Sequence, residues 1–184
     1  DMTPLWEPYW DPFWKVAAEV NLPVHFHTIG VPMAPIREDL PEPSKLAGRA
    51  TRTAAFQLYM ATILGSVIHS GALERFPTLR IVLGESGIGW IPYVLDRMDY
   101  EFEDRFKNDL LYLKMKPSDY WRRQSRATFQ DDRIGAKLLD DLGVETVMWG
   151  SDYPHSDGVF PDSQEYIQRQ FGHLPETVQR KVTC

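Results

Sequence analysis

The chain has 184 residues, 43% of them hydrophobic, so it is long and apolar enough for one sizeable core and unlike a disordered or fibrous sequence. Its net charge of −6 and the lack of a Lys- or Arg-rich face argue against nucleic acid or an anionic membrane as a partner and favour a small-molecule substrate. The single cysteine, Cys184, excludes an internal disulfide. The sequence shows no signal-peptide pattern and no apolar run of roughly 18 residues. We therefore expect one cytoplasmic domain over residues 1–184.

Hydrophobic periodicity and turn residues divide the chain into alternating helices and strands. In chain order they predict a helix over 13–20, a strand over 22–28, a proline-rich segment over 30–50 that is not regular throughout, a helix over 53–69, a strand over 79–85 and a helix over 88–106. The remaining elements are a short amphipathic piece over 119–123, a strand over 126–130, a helix ending near 142, a strand over 145–150 and a helical region from 162, broken at Pro175.

This alternation predicts an α/β fold whose parallel strands are joined by right-handed crossovers. The pattern contains four strands. A (β/α)8 barrel of the TIM type takes about 250 residues. The chain is therefore expected to form either a four-stranded open sheet or about half of a barrel.

Three of the four predicted strands end in residues that can bind a metal or carry a proton. His25 and His27 share one face of the first predicted strand, Glu85 ends the second, and Asp152 follows the fourth. Because parallel strands bring their carboxyl ends to one rim, these side chains are expected to converge. Imidazole and carboxylate groups are common zinc ligands, so the pattern indicates a metal site.

Each of these residues also has a structural explanation. His25 is compatible with a core histidine bonded to a backbone carbonyl, Asp152 with a turn aspartate, and Glu85 with a cap for the following helix. His155 is expected to orient a ligand or the substrate, or only to cover the loop. The aromatic residues before the first strand favour packing of a helix on the sheet over a substrate pocket; they are Trp6, Tyr9, Trp10, Phe13 and Trp14.

Four segments in this order resemble the amidohydrolase-related family, which comprises metal-dependent hydrolases and non-oxidative decarboxylases with a (β/α)8 barrel. They are residues 22–28 (LPVHFHT), 75–82 (RFPTLRIV), 85–92 (ESGIGWIP) and 150–155 (GSDYPH). The resemblance implies that this chain supplies strands 5 to 8. Strands 1 to 4, and the Asp-x-His-x-His segment that gives two metal ligands in the family, have no counterpart here.

By that resemblance, His27 matches the metal-binding histidine that ends strand 5 and Asp152 the aspartate that ends strand 8. We predict a divalent metal, preferably zinc, held by His27, Asp152 and His25, with Asp152, Glu85 and His155 as catalytic residues. The implied function is hydrolysis of a small carboxylated or cyclic substrate, with metal-dependent decarboxylation and a non-catalytic half-barrel as the alternatives. The chain is either a fragment of a longer gene product or a natural half-barrel that pairs with another copy or chain to cover its open sheet edges, and a homo-oligomer is expected in the second case.

Overall fold

The computed structural model describes residues 3–27 and 34–183. Their strands form one parallel sheet in which each strand pairs with the next along the chain. The strands are β1 (Val24–His27), β2 (Ile81–Gly84), β3 (Ser125–Phe129) and β4 (Val147–Trp149). The α/β class and the four parallel strands are thus confirmed, and all four carboxyl ends lie at one rim of the sheet.

Helices connect the strands and cover one face of the sheet. They are α1 (Asp11–Glu19), α2 (Glu42–Ala55), α3 (Met60–His69), α4 (Ala72–Arg75), α5 (Ile91–Glu103), α6 (Pro117–Gln124), α7 (Leu139–Leu142), α8 (Ser163–Phe171) and α9 (Glu176–Thr183). Short 3-10 helices occupy Pro8–Trp10, Phe56–Tyr59, Gly135–Leu138 and Val144–Thr146. Within the described ranges, no helix is long and apolar enough to cross a membrane.

The helix predicted over 53–69 differs from expectation, and part of the proline-rich segment is helical. Helix α2 begins at Glu42, inside this segment, because Pro43 lies in its first turn, where a missing N–H costs no helical hydrogen bond. The helix predicted over 53–69 is interrupted by the 3-10 turn Phe56–Tyr59, so α2 and α3 are separate. Residues 28–33, including the predicted end of the first strand, lie outside the described ranges.

The helix predicted over 88–106 also begins later than expected. Helix α5 starts at Ile91 with Pro92 in its first turn, six positions after Glu85. Glu85 therefore does not cap this helix, and its structural explanation as a capping residue is wrong. Towards the C-terminus, the predicted helix ending near 142 is a 3-10 turn followed by α7, and β4 is limited to three residues.

The main core lies between the helices and the outer face of the sheet. Strand residues that alternate onto this face are almost fully buried; they include Ile81, Leu83, Ala127, Phe129 and Val147. The aromatic residues near the N-terminus contribute only in part. Trp14 is 1% exposed and its ring centroid lies 6.3 Å from that of Phe26, whereas Trp6, Tyr9 and Phe13 are exposed.

Candidate active site

The inner face of the sheet carries the predicted histidines. His25 and His27 point to this face together with Arg126, Thr128 and Met148, since side chains alternate along each strand. The register places His27 opposite Gly84, next to the carboxyl end of β2. The site therefore begins where β1 and β2 end.

Glu85 is the first residue after β2 and contacts His27 directly. His27 Nε2 lies 2.8 Å from Glu85 Oε1, within hydrogen-bond distance. The backbone of Glu85 adopts the left-handed conformation, with φ of 51°, so the chain turns sharply at this point. Two polar side chains hold it there: the Glu85 amide donates to Thr128 Oγ1 at 2.7 Å, and Gln57 Nε2 donates to the Glu85 carbonyl at 3.3 Å.

Asp152 follows β4 and faces the Glu85 carboxyl. Burial raises the pKa of Asp152 above its ordinary value, and the charge of the neighbouring Glu85 carboxyl raises it further. His155 opposes this shift, with its Nδ1 at 3.3 Å from Asp152 Oδ2. The Asp152 side chain is only 13% exposed, and no donor from the described residues hydrogen-bonds to Oδ2.

These contacts form a continuous series across three strand ends: His27, Glu85, Asp152 and His155. His25 is not part of it. The register aligns His25 with Val82 and Val82 with Arg126, one layer further from the rim. The structure thus brings four of the five predicted site residues together and leaves His25 below them.

The donor set fits a divalent cation in kind. Imidazole nitrogen and carboxylate oxygen are suitable ligands for zinc and manganese. Asp152 Oδ2 is buried and accepts no hydrogen bond from the described residues, so a cation could bind to this oxygen. In number, however, the set is incomplete: across residues 3–27 and 34–183, no group of three or more His, Cys, Asp or Glu side chains is arranged to hold a metal ion.

Three residues that organise the site were not singled out from the sequence: Thr128, Gln57 and Asp132. Thr128 had a usable signal, because period-2 alternation places it on the inner face of the predicted strand 126–130. Gln57 and Asp132 lie on other elements and reach the Glu85 loop only through the tertiary fold. No local pattern in the sequence indicates these long-range contacts.

Two open cavities lie beside the strand ends. One, of about 450 Å³, is bounded by residues between α2 and α3, by the end of β3 and by the loop after Asp152; its polar lining includes Thr53, Gln57, Gln130, Ser156, Asp157 and Tyr166. The other, of about 400 Å³, adjoins His155 and Arg52. A small molecule therefore has space next to the series of contacts at the rim.

The sequence matches the amidohydrolase family profile over residues 2–184. This chain belongs to the amidohydrolase family. The resemblance read from its strand-end motifs is thereby confirmed. A search of curated protein sequences gave no match for this family member.

Solved structures similar to this amidohydrolase-family chain include decarboxylases. 5-Carboxyvanillate decarboxylase from Sphingomonas paucimobilis is 27% identical, with a TM-score of 0.72 over 98% of this chain and 52% of that chain. An amidohydrolase from Mycobacterium avium subsp. paratuberculosis is 21% identical, with a TM-score of 0.71 over 98% and 44%. Dihydroxybenzoic acid decarboxylase from Polaromonas, solved with manganese and the inhibitor 2-nitroresorcinol, is 22% identical, with a TM-score of 0.68 over 96% and 52%.

The chain spans about half the length of these structures. Together with the four parallel strands, this shows that its four βα units correspond to a half-barrel.

Proposed function

We propose that the complete protein is a divalent-metal-dependent enzyme that decarboxylates a small aromatic carboxylic acid. The observation that carries the proposal is the facing pair of carboxyls, Glu85 and Asp152, at the rim of the sheet. Burial and the charge of Glu85 raise the pKa of Asp152, which favours the protonated form of that carboxyl. A decarboxylase needs a proton donor at its site, because the carbanion left by the departing CO2 must be protonated.

In this reaction each residue of the site would have a separate role. His27 and Asp152 would hold the cation, which when bound polarises a substrate oxygen. Glu85, whose Oε1 lies 2.8 Å from His27 Nε2, would supply the proton. As the carbon–carbon bond to the carboxylate breaks, its electron pair remains on the ring carbon and takes this proton, leaving Glu85 ionised. His155, whose side chain is 60% exposed, lies where it can orient Asp152.

Hydrolysis is the second candidate, and the family itself favours it. In that reaction an ionised Asp152 would act as general base towards water, so a protonated Asp152 is inactive. The decarboxylases among the similar structures favour decarboxylation over hydrolysis.

Metal, assembly and location follow the expectations from the sequence. Zinc is our predicted metal, while the Polaromonas decarboxylase was solved with manganese, so both ions should be tested. A homo-oligomer is proposed because β1 and β4 each pair with a strand on one side only within the described residues. We also propose a cytoplasmic location.

His25 is proposed as a weaker ligand than His27, since it lies one layer below the rim.

The first test is metal content of the purified chain by plasma mass spectrometry after incubation with Zn²⁺ or Mn²⁺, followed by assays for CO2 release and for hydrolysis. H27A and D152A should lose the metal, whereas H173A, a matched control at an exposed histidine outside the site, should retain it. Glu85→Gln should retain metal and lose CO2 release, because the amide has no acidic proton to give.

Hydrolysis without CO2 release would overturn the decarboxylase assignment in favour of the second candidate. Absence of metal and of both activities would overturn the enzyme proposal and favour a non-catalytic half-barrel. In that case Asp152→Asn should leave every function of the protein intact.

A further inference from the structure

The loop between β2 and α5, which begins with Glu85, is held by a carboxylate from the neighbouring strand. Asp132 lies beyond the end of β3. Its Oδ2 accepts hydrogen bonds from the amides of Ile88 at 2.7 Å and Gly89 at 2.6 Å. Its Oδ1 accepts from the amide of Gly135 at 2.7 Å. One side chain thus connects the loop that carries Glu85 to the segment after β3.

The loop is shaped to admit this carboxylate. A Cβ at Gly89 would lie 2.8 Å from Asp132 Oδ1, closer than real Cβ contacts come. Gly87 has a φ of 60°, which favours glycine, and a Cβ there would lie 2.7 Å from Gln57 Oε1. Gly89 therefore allows the backbone to approach Asp132 closely, Gly87 allows the approach of Gln57, and neither position accepts a side chain without displacing a partner.

Asp132 is itself fixed from a third direction. Its amide donates to Gln170 Oε1 at 2.7 Å, and Gln170 Nε2 donates to the carbonyl of Gln130 at 3.0 Å. Gln170 is 2% exposed on α8. The bond to Gly135 alone would be an ordinary local turn, but the bonds to Ile88 and Gly89 span 44 and 43 residues. The Asp132 carboxylate therefore fixes the Glu85 loop relative to the sheet and α8.

We propose that Asp132 is a positioning residue that sets the Glu85 carboxyl between His27 and Asp152. It does not touch the proposed substrate. Among the described residues, the backbone of Glu85 hydrogen-bonds to the side chains of Thr128 and Gln57, and its own side chain contacts His27. The two amide bonds from Ile88 and Gly89 to Asp132 fix the residues that follow Glu85. The inference rests on the proposed role of Glu85, but its geometry is independent of any bound metal.

The test uses Asp132→Asn in the full chain, observed by ¹H–¹⁵N NMR without metal. The substitution keeps size and shape, but its single carbonyl oxygen cannot serve both the Ile88–Gly89 amides and the Gly135 amide. We expect the amide proton signals of these residues to move upfield as the short bonds to a carboxylate are lost. We also expect the His27 ring signals to move in the same direction as in Glu85→Gln. The double variant should show the His27 signals of Glu85→Gln alone.

Asp131→Asn is the matched control, because this neighbouring carboxylate pairs with Arg169 on the surface and should leave the His27 signals unchanged. If Asp132→Asn fails to fold, Gly89→Ala tests the same bond by pressing a methyl group against the intact carboxylate. A folded Asp132→Asn or Gly89→Ala whose His27 signals match the wild type would overturn the positioning role.

If decarboxylation is found, Asp132→Asn should lower kcat by about tenfold or more with little change in KM, since misplacement of a reacting group affects the chemical step. An unchanged kcat would overturn the positioning role. The NMR outcome decides the inference even if the chain binds no metal and releases no CO2, so a failure of the proposed function is distinguishable from a failure of Asp132.

Discussion

On the outer face of the sheet, Leu83 and Ala127 are fully buried, whereas on the inner face His27 has a side chain that is 47% exposed and Met148 is 36% exposed. The outer face packs hydrocarbon against helices. The inner face presents an imidazole, carboxyls and a hydroxyl whose partners are mainly one another. Side chains alternate between the two faces of each strand. Those on the outer face pack in the core and stabilise the fold, and those on the inner face form the site.

The comparison teaches that the site is not needed to hold the half-barrel together. Asp152 keeps a buried carboxyl whose pKa is raised by burial and by Glu85, an arrangement that costs folding free energy. Such a feature persists only where the rest of the structure supplies enough stability. Substitutions on the two faces should therefore change the free energy of unfolding by different amounts and even with different signs.

The largest effect is expected on the outer face, at Phe129. This side chain is 2% exposed, and its ring centroid lies 5.9 Å from that of Phe171 in an edge-to-face contact. Phe129→Ala should lower the free energy of unfolding by about 3–5 kcal/mol through lost burial and a residual cavity. Urea denaturation measures this change. Met148→Ala on the inner face is the control, and an equal loss there would contradict the separation of the two faces.

A smaller loss is expected at Thr128, where the inner face meets the loop of Glu85. Thr128→Val keeps the shape of the side chain but removes the oxygen that accepts the Glu85 amide at 2.7 Å. The amide is then left without its partner, so we expect a loss of about 1–2 kcal/mol in the free energy of unfolding. Thr128→Ser keeps the hydroxyl and should recover most of this difference. Equal stability of the valine and serine variants would show that the hydrogen bond contributes nothing.

The separation of the faces was largely predictable from the sequence, because alternation in β1 and the carboxylates after β2 and β4 fix which residues meet at the rim. The parallel order followed from helices placed between strands. Helix boundaries were less predictable, as Glu42–Ala55 shows: proline in a first turn supports a helix, yet a cluster of prolines reads as a loop.

The supports of the site were the least predictable part. Asp132 and Gln57 reach the Glu85 loop from positions 43 and 28 residues away or more, and such contacts depend on how helices pack on the sheet. The left-handed backbone at Glu85 and Asp152 was equally hidden, because neither residue is glycine. A carboxylate at a strand end can thus be found from the sequence, whereas the hydrogen bonds that orient it become visible only in the folded structure.

The smallest effect, and the only one expected to be stabilising, is at Asp152. Its pKa in the folded chain is raised by burial and by Glu85, so the native state binds its proton more tightly than the unfolded state does. The contribution is therefore favourable at low pH and is lost as pH rises from the unfolded value of 3.8 through the folded pKa. Asp152→Asn removes this loss because the amide does not ionise.

In metal-free protein at pH 7, Asp152→Asn should raise the free energy of unfolding slightly, and the gain should shrink towards pH 4. Urea denaturation of wild type and variant at several pH values measures the difference directly, and Asp140→Asn, at an exposed aspartate of α7, is the matched control. A constant difference across this range would mean that Asp152 carries no excess proton in the folded chain. Because the gain arises from the group proposed to bind the cation, added Zn²⁺ or Mn²⁺ should stabilise the wild type and not the variant, reversing their order.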